Sequence, residues 1–339
     1  IDEAVEKLVS LNLPELFEIL LDGCSVHRDS RGYTELIRNE FFNGSRPAQP
    51  YLNYALFCII AYAPQDAEID NSLVQKNMSS LNMKLFFSDY DVPSRFLPVD
   101  KFTSLSSLKM DLHIFTEMNQ GADKNLKRDD WFINNNITEL DLPNTSGSLK
   151  WFKNCSQLKS LKFNFGYYPV EFIESFENLV NLEELYLDKI NYQQGFKNID
   201  FLKKCKKIKK FELNIASSYS SKEVLENIDA IKNFNELEEL KIHGINSELN
   251  LDALLSCKKI KKLILSTQPG SKINFKLLKN CKLLETLELQ GVYVVVCGKI
   301  IEINQLKGLS KLKEISIKGS SHSDPHINIS GSDSKVFIS

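Results

Sequence analysis

A chain of 339 residues with 42% hydrophobic and 25% charged residues has a globular composition, long enough for two domains or one elongated repeat domain. A formal net charge of −2 lacks the broad positive field that phosphate backbones demand, which weighs against a nucleic-acid partner. No apolar run approaches the ~20 residues of a membrane-spanning helix, so no membrane partner is expected. Seven cysteines, an odd number spread over a long chain, do not suggest a disulfide framework, and a cytoplasmic, intracellular setting is expected. Residue 1 is Ile rather than Met, so the chain is expected to be a processed product or a piece cut from something longer.

Residues 1–75 read as a helical N-terminal cap domain. DEAVEKLVSLNLPELFEILL has apolar residues at helical spacing, and YLNYALFCIIAYA, Tyr51 to Ala63, is almost continuously apolar but too short to span a bilayer. LNLPELFEILL loosely resembles the opening of an F-box, a helix that docks on a ubiquitin-ligase adaptor. Pro14 and Ile19 stand closer than that pattern requires, and no second helix of the kind is visible. Cys24 and His27 have the residue types of a nucleophile and its base, yet nothing orients the imidazole, and a surface loop is the plainer reading.

From residue 76 to 319 one unit recurs: apolar, two variable, apolar, one variable, apolar. It occurs as ITELDL from Ile137, LKSLKF from Leu158, LEELYL from Leu182, IKKFEL from Ile208, LEELKI from Leu237, IKKLIL from Ile260, LETLEL from Leu284 and LKEISI from Leu312. The steps are 21, 24, 26, 29, 23, 24 and 28 residues. Weaker copies begin at Met78 and Leu105, and the segment from Met118 to Asp130 reads as an insertion. The alternation within each unit predicts a strand with one buried face. Between strands, FKNIDFLKKC, VLENIDAIKNF, LNLDALLSC and FKLLKNC place apolar residues at helical spacing. A strand and helix of this size cannot bury their apolar faces alone, so copies must stack into one continuous core.

The period and pattern resemble the leucine-rich repeat family, and the recurring C-x-x-L resembles its cysteine-containing and ribonuclease-inhibitor-like subclasses. The second cysteine of the cysteine-containing consensus is missing. The resemblance implies an α/β solenoid, a horseshoe with parallel strands on the concave face and helices on the convex face, to which residues 1–75 are expected to add an α-helical N-terminal cap. Residues 320–339 are expected to form a C-terminal cap or tail, with VFIS as a final edge strand. In that tail His322, Asp324 and His326 stand two apart, and a Ser-rich loop outweighs a metal site there because no fourth ligand is visible.

The cysteines could be metal ligands or core. The position three before each unit holds Cys155, Leu179, Cys205, Phe234, Cys257, Cys281 and Leu309, with Phe102 earlier. An exchange of cysteine with leucine and phenylalanine suits a core position and would destroy a metal site. No metal and no cofactor are expected.

Partners of such folds use the exposed strand residues. The candidate partner-binding residues on the concave face are Lys162, Tyr186, Lys210, Glu212, Glu239, Lys241, Lys262, Ile264 and Glu288, with Tyr186 and Ile264 as anchors. Alternating signs predict ladders of opposite charge, Asp141 beside Lys162, Glu212 beside Lys241, and Glu184, Lys210, Glu239 and Lys262 in a row. Lys206, Lys207, Lys258 and Lys259 are candidates for one basic rim. No phosphate loop, zinc signature or nucleophile elbow appears. The expected function is non-enzymatic recognition of a protein partner, with analogy to immune-type sensors suggesting the sensor region of a larger receptor. The alternative is the substrate-receptor subunit of a ubiquitin ligase, using residues 10–25 as docking helix.

Overall fold

The computed structural model describes residues 80–82, 106–109, 136–190, 196–215, 225–246, 248–268, 273–290, 306, 308–318 and 335–338. The chain divides into two compact units, Ile1–Pro143 and Asn144–Ser339. In the first unit β1 (Ser80–Asn82) pairs in parallel with β2 (Ser107–Lys109), and β2 with the start of β3 (Glu139–Ser148). The weak copies at Met78 and Leu105 therefore do form strands. The cap domain over residues 1–75, with Cys24, His27 and the docking-helix candidate, lies outside the described residues. So do Phe102, the insertion and the His322–His326 cluster.

In the second unit β4 (Ser160–Glu171), β5 (Glu184–Ile190), β6 (Lys210–Ile215), β7 (Glu239–Ile245), β8 (Lys262–Thr267), β9 (Thr286–Gln290), β10 (Glu314–Lys318) and β11 (Lys335–Ile338) pair in parallel, each with the next. Strand β11 contains the VFI of the expected terminal edge strand. The register aligns equivalent repeat positions. Leu161, Leu185, Phe211, Leu240, Leu263, Leu287 and Ile315 form one buried row. Phe163, Leu187, Leu213, Ile242, Leu265 and Leu289 form the next. Parallel strands, one per repeat and in step with the sequence unit, make this a leucine-rich repeat solenoid.

The segments between strands are helical, but 3-10 rather than α. They run over Lys150–Asn154, Ile173–Asn178, Asp200–Leu202, Asp229–Asn233, Asp252–Ser256 and Phe275–Asn280. The reason lies in a strict period of three. Leu149, Phe152, Cys155 and Leu158 are all buried, as are Ile199, Leu202, Cys205 and Ile208, and Leu251, Leu254, Cys257 and Ile260. Three residues make one full 3-10 turn, so such a series stays on one face. An α-helix would rotate it by about 60° at every step. Backbone bonds follow the same spacing: the Phe152 carbonyl accepts from Cys155 at 3.0 Å, and the Cys155 carbonyl from Leu158 at 3.0 Å.

Asparagine starts several of these turns. The Oδ1 atoms of Asn198, Asn227, Asn250 and Asn274 accept from the backbone N–H two residues on, at 3.0, 3.2, 2.7 and 3.1 Å. This is the Asx turn, in which a short side chain supplies the acceptor that the first free N–H needs.

The cysteines occupy the core position expected of them. Cys155, Cys205, Cys257 and Cys281 are free thiols buried to 5% exposure or less, and Leu179, Phe234 and Leu309 at the same repeat position are buried too. Each thiol donates to a backbone carbonyl: those of Trp151, Phe176, Ala253 and Leu254 respectively. Burial pushes the Cys205 and Cys257 thiols up to about 12 and Cys281 to about 11, so the nucleophilic thiolate is suppressed.

Beneath β4 and β5 the core turns aromatic. Phe152 meets Phe176 at 5.0 Å between ring centroids, Phe163 meets Phe165 at 4.8 Å and Phe176 at 5.3 Å, and Phe176 meets Phe201 at 5.2 Å. Such ring pairs add to the area they bury, and they stiffen the strands above them.

Candidate functional site

Three rows of side chains on β4–β10 and the residue before each strand carry most of the polar chemistry. At the strand entrance, one place after the first apolar residue of each unit, stand Lys159, Glu183, Lys209, Glu238, Lys261, Glu285 and Lys313. The backbone locks them side by side: Lys209 N–H donates to the Glu183 carbonyl at 2.7 Å, and Glu238 N–H to the Lys209 carbonyl at 2.8 Å. Their side chains close ion pairs, Lys209–Glu183 at 2.6 Å, Lys261–Glu238 at 2.9 Å and Lys313–Glu285 at 2.6 Å. Sequence reasoning missed this row, although its strict sign alternation is visible once the seven units from Leu158 onward are aligned.

The second row contains Ser160, Glu184, Lys210, Glu239, Lys262, Thr286 and Glu314. Here the expected ladder forms. Lys210 meets Glu184 at 2.6 Å, and Glu239 is shared between Lys262 at 3.3 Å and Lys241 at 3.6 Å.

The middle row runs Lys162, Tyr186, Glu212, Lys241, Ile264, Glu288, Ser316. Lys241 meets Glu212 at 2.9 Å, as the alternation predicts, and His243 Nε2 lies 3.8 Å from the other Glu212 oxygen. The Lys241 ammonium is held above the usual lysine range, mainly by its hydrogen bond to Glu212. Asp141 pairs with Lys109 at 2.7 Å inside the first unit. Lys162 is exposed and has no ion pair or hydrogen bond among the described residues.

Two expectations need correction. Ile264, offered as an exposed anchor, is only 7% exposed. It stands in the ladder between Lys241 and Glu288, whose longer side chains flank its short branched one. The four lysines of the basic rim are not gathered together. Lys206 and Lys207 precede β6 while Lys258 and Lys259 precede β8, and the repeat between them carries Asn235 and Glu236 there. Glu236 pairs with Lys259 at 2.8 Å, and Lys207 donates to Asn181 Oδ1 at 2.6 Å.

Six of the proposed partner-binding residues line one open groove of about 390 Å³ across β4–β7: Lys162, Tyr186, Lys210, Glu212, Glu239 and Lys241. Lys262, Ile264 and Glu288 lie on β8 and β9 and do not line it. Tyr186 is half-buried. Burial, with the charges of Asp188 and Glu212, holds its phenol above the usual range, and its side chain hydrogen-bonds with Asn214 and Asp188. Asp188 itself accepts from Asn164 Nδ2 at 2.9 Å and Asn214 Nδ2 at 2.6 Å. This amide-cradled carboxylate was also missed, because only the strand register brings its two donors to it.

No family model matches the chain, and no curated protein matches it. Among solved structures it is similar to the plant peptide hormone receptor RGFR1 in complex with RGF2, at 16% identity over 62% of this chain and 32% of that one, with TM-score 0.35. A leucine-rich repeat protein of Leptospira interrogans is similar at 11% identity, 73% and 57% coverage and TM-score 0.43. An internalin of Listeria monocytogenes is similar at 12%, 85% and 89%, with TM-score 0.32. The chain spans a third of the first of these structures and somewhat over half of the second. The repeat architecture is carried by the strand register and the buried triplets. Among the described residues, no helix is long and apolar enough to cross a membrane.

Proposed function

We propose that this chain is a non-enzymatic recognition module that holds a protein partner on the exposed strand face of β4–β7. The observation that supports this reading is the groove of about 390 Å³ lined by Lys162, Tyr186, Lys210, Glu212, Glu239 and Lys241. Its polar groups are rigidly placed, because they stand on strands whose other faces are buried in an aromatic and leucine core. A half-buried tyrosine among oriented charges is the composition of an interface anchor with a polar surround. The four described cysteines are buried with raised pKa values, which removes them as nucleophiles. A module of this kind suits the sensing end of a larger receptor, the immune-type arrangement that fold analogy suggests.

Crosslinking mass spectrometry on the protein in its native cells tests the reading. Crosslinks from a foreign protein to Lys162, Lys210, Lys241 or Lys262, lost on Tyr186→Ala, are the expected result. Crosslinks confined to residues 1–75, with the strand lysines untouched, would move the binding function away from the repeats.

A further inference from the structure

We infer that the segment seated in this groove is an extended peptide stretch of the partner that presents an acidic side chain to Lys162 and a hydrogen-bond donor to Asp188. The inference rests on the reading of the strand face as a protein-binding surface and narrows what can occupy it.

Charge accounting on β4–β8 supplies the first half of the argument. Lys210 is committed to Glu184 at 2.6 Å, Lys241 to Glu212 at 2.9 Å, and Lys262 to Glu239 at 3.3 Å. Lys162 stands on the same face, exposed, with no partner among the described residues. Its lateral neighbour in the ladder is Tyr186, so a free ammonium and a half-buried aromatic side chain stand together at one edge of the groove. A partner carboxylate placed there gains a charge-assisted contact without breaking any existing pair.

The second half concerns Asp188, which does not line the groove but stands just beyond it on the same strand face, one strand over from Lys162 and two residues further along. Both of its oxygens accept amide N–H groups, from Asn164 at 2.9 Å and Asn214 at 2.6 Å, and the Tyr186 side chain also hydrogen-bonds with it. Amides satisfy the oxygens but do not cancel the charge, and no cation pairs with Asp188 among the described residues. That end of the face therefore repels a second acid and favours a lysine, arginine or amide. One strand of lateral spacing and two residues of rise separate the two sites by roughly 8 Å. Alternate side chains of an extended segment are about 7 Å apart, within reach of both. The matched pairs between and beside these sites leave the remainder of the groove electrically neutral, so the partner needs only this one acid and this one donor.

The test pans a phage library of random peptides against the full chain. Enriched peptides are synthesised with a fluorophore, and their affinities are measured by anisotropy. The expected consensus carries Asp or Glu followed two places later by Lys, Arg, Asn or Gln. Replacing the peptide's acid by its amide should weaken binding about tenfold on the parent chain, the scale of one charge-assisted hydrogen bond, and hardly at all on Lys162→Met. Lys162→Glu should prefer the peptide whose acid has become lysine. Because Lys162 is exposed and has no partner among the described residues, neither variant should change the circular dichroism spectrum. Peptides that need Tyr186 but tolerate loss of the acid would keep the groove as a binding face and overturn the acidic occupant. Peptides indifferent to Tyr186→Ala as well would overturn both, and failure to enrich any acidic peptide would overturn the inference.

Discussion

Two rows of side chains cross the same strands at the same lateral spacing and behave differently. The row at the strand entrance, from Lys159 to Lys313, alternates in sign at every step, and all three of its glutamates are held by a lysine of the next repeat. The part of the middle row on β4–β8 begins with a lysine that has no partner among the described residues, beside Tyr186, then holds one matched pair at Glu212 and Lys241 and passes through the buried Ile264. The backbone imposes the same geometry on both, so the difference lies in composition alone. A row that alternates satisfies itself, holds neighbouring repeats in step and offers a partner little. A row that breaks the alternation leaves a group unsatisfied, and that is where recognition has something to gain.

The comparison stands on a shared core, and removing that core should have the largest effect. Leu185 lies between Leu161 and Phe211 in the buried row, at 2% exposure, directly before Tyr186. Leu185→Ala should cost about 2–5 kcal/mol in urea unfolding and disturb both rows together. A loss well below 1 kcal/mol would mean that the strand is not packed as described.

Gly244 comes next. Its φ of +79° is a left-handed conformation, and a Cβ there would lie 2.2 Å from the Ile215 carbonyl oxygen. Gly244→Ala should therefore cost about 1–3 kcal/mol through backbone strain and displacement of β6 from β7. Because Gly244 follows His243 and Lys241 on β7, the groove should lose peptide binding in this variant while the β8–β9 end keeps its protection in hydrogen exchange.

A smaller effect separates the two rows from one another. Lys209→Glu puts three carboxylates in succession, Glu183, the new residue and Glu238, and should lower the melting temperature through like-charge repulsion. Lys162→Met should leave the melting temperature where it is, since it breaks no pair among the described residues. Equal losses from both substitutions would erase the distinction between a self-satisfied row and a free one.

Most of the strand architecture was legible in the sequence. Each apolar unit is a strand, Cys155 and its equivalents are core, and the pairs Lys210–Glu184 and Lys241–Glu212 follow from sign alternation. The connecting helices were read with the wrong period. Over four apolar residues a spacing of 3.0 is hard to tell from 3.6, and only its repetition at Leu149–Leu158, Ile199–Ile208 and Leu251–Ile260 gives it away. The burial of Ile264 was not legible, because exposure within a strand row depends on how far the lateral neighbours reach. Nor was the splitting of the lysine pairs at Lys206 and Lys258 anticipated, since the two segments look alike and the repeat between them, with Glu236, does not. Asp188 needed the register itself, which brings amides from β4 and β6 to a carboxylate on β5.

The entrance row also sets a pH profile. Lys209, Lys261 and Lys313 hold the carboxyls of Glu183, Glu238 and Glu285 below the usual carboxylate range, chiefly through hydrogen bonds from their ammonium groups. A carboxyl whose pKa falls on folding stabilises the native state above the ordinary glutamate range, and that stabilisation is lost as pH falls through the lowered value. The ammonium groups of Lys209 and Lys210 are raised, chiefly by hydrogen bonds to Glu183 and Glu184, so their contribution is present below the ordinary lysine range and is lost as pH rises through the raised value. Melting temperature should thus show a plateau between the two ranges with a decline on either side. All these pairs are exposed, so each contributes little and salt should flatten both limbs. Lys209→Gln should reduce both limbs, because it removes the partner of Glu183 along with its own charge. Lys162→Met should superimpose on the parent curve. A Lys162→Met curve that lost a limb as Lys209→Gln does would show that Lys162 is paired after all, and would remove the free cation on which the acidic occupant depends.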